Sequence, residues 1–348
     1  MTANVLDQLT KIGERVKSAD IPQGLREDIL NRVSQLGNLV ESSTFLPEFD
    51  RMNSYVDWVV GLPWDKKSQD TLDLVKSKEI LDRNHYGLDE IKERILEYMS
   101  VVKLNEEDKE NIAHAPILCF VGLVGTGKTT IAKSIAQAMG KQFVRIPFGG
   151  MGDPLDLRGL SRMHPEAEPG KVIKAVKLAG TRNPVILLDE IDRVTDEGRS
   201  SIMGVLVELL DPQQNNAFVD HYIDYPFDLS EALFIATANN TIKISTAVLD
   251  RLEPLMMPSY TDNEKIVIGQ KYIFPRVMQE SGLPENSLTI QEDVWPNIVR
   301  PLGFDAGIRT LQRTIEGVVR KSVREIVEGK VDRVEVNKDN VKKYLPQL

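Results

Sequence analysis

The chain has 348 residues, with 43 Lys and Arg against 52 Asp and Glu, so its formal net charge is −9. With 41% hydrophobic and 27% charged residues it has the composition of a globular chain, not a disordered one, and its length predicts two or three domains. A single cysteine, Cys119, excludes a disulfide scaffold, and the acidic balance speaks against a protein whose main task is coating nucleic acid.

The longest apolar runs, 116–121 and 185–188, fall far short of the roughly 20 residues of a membrane-spanning helix. The N-terminus carries neither the apolar segment of a signal peptide nor the Ser and Arg content of a transit peptide, so a cytoplasmic protein is expected.

Residues from about 4 to 62 read as helices. Val5, Leu6, Leu9, Ile12 and Val16 recur at helical spacing, as do Leu25, Ile29, Val33, Leu36 and Val40, with a break at 21–24. A third run spans 52–60, and the polar stretch 65–78 reads as a linker. Another amphipathic helix is predicted over 88–104, after His85, Tyr86 and Gly87. Beyond it, the apolar runs 117–121, 143–146, 185–188 and 233–236 alternate with helical stretches, the pattern of a parallel sheet covered on both faces. From Thr261 the strands nearly vanish. Helices are predicted at about 263–278, 292–299 and 306–328, the last capped by Asp305 and ended by Gly329.

The strongest motif is Gly122-Leu123-Val124-Gly125-Thr126-Gly127-Lys128-Thr129, followed by Thr130. It satisfies GxxxxGK[ST] and lies between a predicted strand and a predicted helix. The glycines let backbone N–H groups turn toward phosphate oxygens, Lys128 supplies a point charge, and the Thr129 hydroxyl is a Mg²⁺ ligand. About sixty residues on, the apolar run 185–188 ends in Asp189 and Glu190. Ligands gather at that end of open α/β sheets. There Asp189 would hold Mg²⁺ and Glu190 would polarise the attacking water, although a strand ending in a solvated acidic turn reads the same way. The run 233–238 ends in Asn239, an amide able to hold water and phosphate together, or a simple turn residue.

The phosphate loop, Leu187–Asp192, Ala236–Asn239, Leu249–Arg251 and Gly307–Arg309, in that order, resemble the AAA+ ATPases. The longer strings Tyr55–Trp64, Ile80–Met99 and Leu209–Ile223 are similar to the Lon family of ATP-dependent proteases, over about 45–345. The resemblance implies an α/β phosphate-loop core with a parallel five-stranded sheet between helices, a small C-terminal helical lid and an N-terminal helical arm. The corresponding domains are 1–75 (arm and linker), 76–258 (nucleotide-binding core) and 259–348 (lid). It also implies ATP and Mg²⁺ as ligands and a homo-oligomeric, hexameric ring. Asn239 falls at the water-positioning sensor, and Arg251 at the arginine finger that reaches a neighbouring subunit. Arg309 falls at the second sensor, on the lid, and His85, Tyr86, Gly87 and Tyr260 fall around the adenine. Ordinary ion pairing on helices is the competing reading of both arginines.

Two departures stand out. Lon-like chains continue into a protease domain with a Ser–Lys dyad, whereas this sequence stops where that domain would begin, and no serine and lysine here share its context. ATP hydrolysis without peptide cleavage is therefore expected, with a peptidase on another chain or domain. The stretch 148–170 aligns with the family's substrate-gripping pore loop, but the family's aromatic–aliphatic pair is replaced by His164 and Pro165, with Met163 before them. The expected function is ATP-driven unfolding and translocation of protein substrates. The first helices, with Leu30, Leu36 and Leu39 on one face, would contact neighbouring subunits or substrate, or form a plain hairpin on the core. A nucleic-acid loader or initiator ATPase is the alternative, against which stand the acidic charge and the lack of an obvious DNA-recognition helix.

Overall fold

The computed structural model describes residues 2–40, 42, 44–107, 116–284, 286–300 and 307–345. Three helices open the chain: α1 (Thr2–Ser18), α2 (Gln23–Gly37) and α3 (Phe45–Val60). They pair because Leu9, Ile12 and Val16 on the first, and Leu25, Ile29, Val33 and Leu36 on the second, lie on one face each and are buried. Of the three leucines expected to share one face, Leu36 is buried and Leu39 is exposed.

The polar stretch after α3 is a strap, not the linker its composition suggests. Arg182 donates its backbone N–H to Lys66 O at 2.8 Å, and its guanidinium reaches Asp228 at 3.0 Å and Glu231 at 2.8 Å. The Asn183 amide accepts from Ser68 N–H and donates back to Ser68 O, and Lys141 pairs with Asp70 at 2.6 Å. Polar residues that read as solvated are here the hydrogen-bonding partners of buried side chains. The chain then enters α4 (Leu74–Asn84), which buries only Ser77 and Leu81 and so left no helical stripe to read. Helix α5 (Asp89–Glu107) follows.

Next come β1 (Ile117–Val121), α6 (Lys128–Met139), β2 (Phe143–Pro147), α7 (Leu155–Arg158), α8 (Lys171–Ala179), β3 (Val185–Asp189) and α9 (Arg199–Leu209). A two-residue hairpin, β4 (Phe218–Val219) with β5 (Pro226–Phe227), precedes β6 (Leu233–Ala238), α10 (Thr246–Leu249) and β7 (Leu252–Met256). The five-stranded sheet has the order β2-β3-β6-β1-β7. Strand β3 pairs in parallel with β2, Phe143 opposite Val185, and with β6, Val185 opposite Leu233. Every residue of β3 is buried, as a central strand covered on both faces requires. The sequence pattern missed β7. It buries only Leu252 and Leu255, and its Pro254 is tolerated because the strand lies at the sheet edge.

After Tyr260, α11 (Asp262–Ile268) is opened by a capping box between Thr261 and Glu264, and it passes through a wide turn at 269–273 into α12 (Phe274–Glu280). Helices α13 (Trp295–Val299), α14 (Arg309–Val327) and α15 (Val341–Tyr344) complete this part, around a core of Trp295, Ile298, Leu311, Ile315 and Val318. It is not wholly helical. Strand β8 (Leu288–Ile290) pairs in parallel with β9 (Val334–Val336), three residues each and too short to stand out in sequence. Gly329, at φ +69°, follows the last turn of α14 as expected, whereas the predicted Asp305 cap lies outside the described residues.

The chain divides into two compact units: Met1–Asp73, Val101–Cys119 and Ala136–Pro254 form the first, and Leu74–Ser100, Phe120–Ile135 and Leu255–Leu348 the second. Among the described residues no helix is long and apolar enough to cross a membrane.

Candidate functional site

The phosphate loop belongs to the second unit. Met257 N–H donates to Val121 O at 2.7 Å, and a Cβ on Gly122 would sit 2.7 Å from Met257 O, so only glycine lets the strands stay that close. Gly125 and Gly127 have φ of +86° and +95°, a backbone that residues with a Cβ rarely adopt. Thr126 Oγ1 donates to Leu123 O, and Thr130 Oγ1 donates to Gly127 O. The loop runs directly into α6, whose first residue is Lys128, so the positive end of the helix opens onto it. Lys128 Nζ donates to Gly122 O at 2.5 Å and to Leu123 O at 2.9 Å, which stations the ammonium inside the loop. A glycine-lined backbone cradle, an enclosed cation, a helix N-terminus and the Thr129 hydroxyl together fit a polyphosphate with its hard divalent cation.

The segment ahead of α14 lies against this loop. Ile308 N–H donates to Gly125 O at 3.0 Å. A Cβ on Gly125 would meet Gly307 Cα at 3.2 Å, and one on Gly307 would meet Val124 O at 2.5 Å. This glycine-to-glycine approach seats Arg309, the exposed first residue of α14, beside Gly125. Tyr260 is buried and its hydroxyl donates to Thr126 O at 3.3 Å. Burial, with Glu264 nearby, pushes that phenol up to about 12, so it stays protonated and a donor.

His85 is also buried here. Its Nε2 lies 2.9 Å from Ser134 Oγ, which also accepts from Asn84. Burial first, and then the charge of Lys92, hold the imidazole down at about 4, so it is neutral at physiological pH. His85 is thus committed to α6. Tyr86 lies with its ring 6.4 Å from that of Tyr272 and packs with Leu88 on the core around Trp295. Gly87 turns the chain at φ +63°.

The acidic residues belong to the first unit. Asp189 is buried at the end of β3, and both its carboxylate oxygens are held: Oδ1 accepts from Thr237 Oγ1 at 2.5 Å and Oδ2 from Arg145 Nε at 2.6 Å. Glu190 has φ +58° and ψ +50°. A non-glycine residue in this left-handed region costs about 1–2 kcal/mol, and such strain concentrates at functional sites. Its N–H donates to Thr237 Oγ1 at 2.8 Å, and its Oε2 receives a long bond from Arg193. Sequence reading missed Thr237, an ordinary residue in a strand. Arg145 did leave a signal, as the one charge in an otherwise apolar strand.

Asn239 follows β6 and is half-buried. Arg251 donates to Ala247 O at 2.7 Å and to Asp211 Oδ2 at 3.0 Å. The loop carrying Met163, His164 and Pro165 is fixed at its base and exposed at its tip. Leu160 N–H donates to Glu168 O, His221 N–H to Arg158 O, and Gly170 N–H to the buried Asp220 carboxylate at 2.7 Å. Arg162 lies 4.0 Å over the Tyr55 ring and pairs with Asp224. Met163, 87% exposed, His164 and Pro165 project outward.

A family model described as "ATPase family associated with various cellular activities (AAA)" matches residues 118–259, and one described as "Lon protease AAA+ ATPase lid domain" matches residues 279–334. The chain thus carries an AAA ATPase domain followed by a Lon-type lid domain. It is 42% identical to a Lon protease of Lawsonia intracellularis over 339 residues, 97% of this chain and 40% of that protein. A Lon protease of Trichlorobacter lovleyi is 40% identical over 339 residues, 97% of this chain and 41% of that one. "Lon protease 2" of Thermus thermophilus is 38% identical over 345 residues, 97% and 42%. The chain therefore spans about two fifths of the length of the curated relatives it matches.

Proposed function

We propose that this chain couples ATP hydrolysis to the unfolding and translocation of polypeptides for proteolysis, in the cytoplasm, as one subunit of a hexameric ring. Among its 348 residues we assign no peptidase dyad, and peptide cleavage falls to another domain or chain. In this reading the backbone of 122–129 and Lys128 bind the phosphates, and His85, Tyr86, Gly87 and Tyr260 border the base. Thr129 and Asp189 hold Mg²⁺, which when bound neutralises charge on the phosphate oxygens. Glu190 polarises water, Asn239 orients it, Arg309 contacts the phosphates of its own subunit, and Arg251 those of the next.

The observation that carries the polypeptide reading is the loop around Met163. Its base is clamped by Asp220, Arg162 and Tyr55, and its tip presents a flexible thioether to solvent. An unbranched, polarizable side chain grips apolar groups of many shapes, which suits a chain of any sequence. The test is the ATPase rate against protein concentration, with and without an unfolded protein. The expected result is a specific activity that rises steeply with concentration and is further stimulated by the unfolded chain. A rate that is stimulated only by DNA, or that never depends on concentration, would overturn the reading.

A further inference from the structure

We infer that Thr237 is a positioning residue that sets the two acids of the hydrolytic site in their separate roles; the inference rests on the ATPase reading above. Its hydroxyl has one proton to give. A carboxylate only accepts and a backbone N–H only donates, so the polarity of the two bonds is forced: Thr237 Oγ1 donates to Asp189 Oδ1 at 2.5 Å and accepts from Glu190 N at 2.8 Å. One buried hydroxyl thereby holds two consecutive residues from the neighbouring strand, with β6 paired to β3 through Leu188 and Ala236.

The two bonds have different consequences. The first, together with Arg145 Nε on Oδ2, fixes the rotation of the Asp189 carboxylate. The second anchors the peptide at which Glu190 turns left-handed, the conformation from which its side chain leaves the strand end. Without an acceptor for its N–H, the strained conformation of Glu190 has less to hold it. Thr237 also lies two residues before Asn239, so the acid pair and the sensor amide share one support. The residue touches neither nucleotide nor water in this assignment; it acts through Asp189 and Glu190.

The experiment compares Thr237→Val, which keeps the shape and removes the hydroxyl, with Thr237→Ser, which keeps the hydroxyl. Outer-shell partners of metal-binding carboxylates typically contribute about 10–100-fold to affinity or activity. The Val variant should lose that much in ATP turnover and need about tenfold more Mg²⁺ for half-maximal rate. Its affinity for a fluorescent ATP analogue without Mg²⁺ should be unchanged, and the Ser variant should return to within a few-fold of wild type. A second arm reads the bond without catalysis: in the wild-type chain the Glu190 amide should be protected from hydrogen exchange by NMR. Wild-type turnover and Mg²⁺ dependence in the Val variant, a Ser variant as impaired as Val, or an unprotected Glu190 amide would each overturn the inference. If the wild-type chain hydrolyses no ATP at any concentration, the ATPase reading falls instead, and the exchange arm still decides whether Thr237 holds Glu190.

Discussion

Arg251 and Asp211 hold one another at 3.0 Å, with Asp211 also accepting from the Gln213 N–H at 2.9 Å. The Gln213 N–H first, then the guanidinium, keep the Asp211 carboxyl below the usual carboxylate range, so the pair persists in mild acid. An arginine assigned to a neighbouring subunit's phosphate is thus aimed by an acid of its own chain. Because the pair is partly exposed, its strength is modest and exchange for a phosphate is affordable.

Arg251→Ala should lower ATP turnover by roughly 10³-fold or more, the usual worth of such a finger, with ATP binding retained. Mixing it with Glu190→Gln subunits should restore part of the activity, because each supplies what the other lacks. Steady-state ATPase across mixing ratios checks this; no recovery at any ratio rules out action in trans. Asp211→Asn, which removes the negative charge opposite the guanidinium, should cost far less than Arg251→Ala.

Glu190→Gln keeps the length of the side chain and the N–H bonded to Thr237. It should bind ATP as wild type does while turnover falls by about 10²–10⁴-fold, the range for loss of a general base. Equilibrium binding and single-turnover hydrolysis measured side by side test the split.

Gly125→Ala adds a Cβ at φ +86°, 3.2 Å from Gly307 Cα. The left-handed backbone alone costs about 1–2 kcal/mol, and relief requires the segment before Arg309 to withdraw. The variant should melt several degrees lower and bind ATP more than tenfold more weakly, by calorimetry with and without nucleotide. An equal change at Gly180, φ +66° with nothing near its Cβ, should leave nucleotide affinity intact.

His85 supplies a pH dependence with a definite sign. Its pKa is about 4 in the folded chain against an ordinary 6.5, so the unfolded chain binds the extra proton first. Its contribution is complete above about pH 6.5 and is lost as the pH falls toward about 4, amounting to on the order of 3 kcal/mol. Melting temperature against pH, wild type beside His85→Gln, should show the wild type losing more between pH 7 and 5. Parallel curves would remove His85 as the cause.

Much of this molecule is legible as sequence because its chemistry is local. Four of the five sheet strands announce themselves as apolar runs, since a covered parallel strand must be apolar on both faces. Gly122–Thr129 is a contiguous string, and Asp189 and Glu190 are consecutive, so spacing alone finds them. The remainder depends on partners distant in sequence. Arg182 fastens residues 64–66, more than a hundred positions away, and nothing in the strap's composition marks it. Thr237 looks like any strand threonine until Asp189 and Glu190 are seen on either side of its hydroxyl. The edge strand β7 carries Glu253 and Pro254, the residues that break the apolar signal, because one side of an edge strand has no ladder partner and a missing N–H is tolerated there.

The bond from Ile308 to Gly125 has a mechanical corollary. Helix α14 starts at the next residue and runs 19 residues, roughly 28 Å at 1.5 Å per residue. Its first turn is thereby pinned beside the phosphate cradle, and pivoting there by a few degrees would carry the helix's distal turn sideways by an ångström or more.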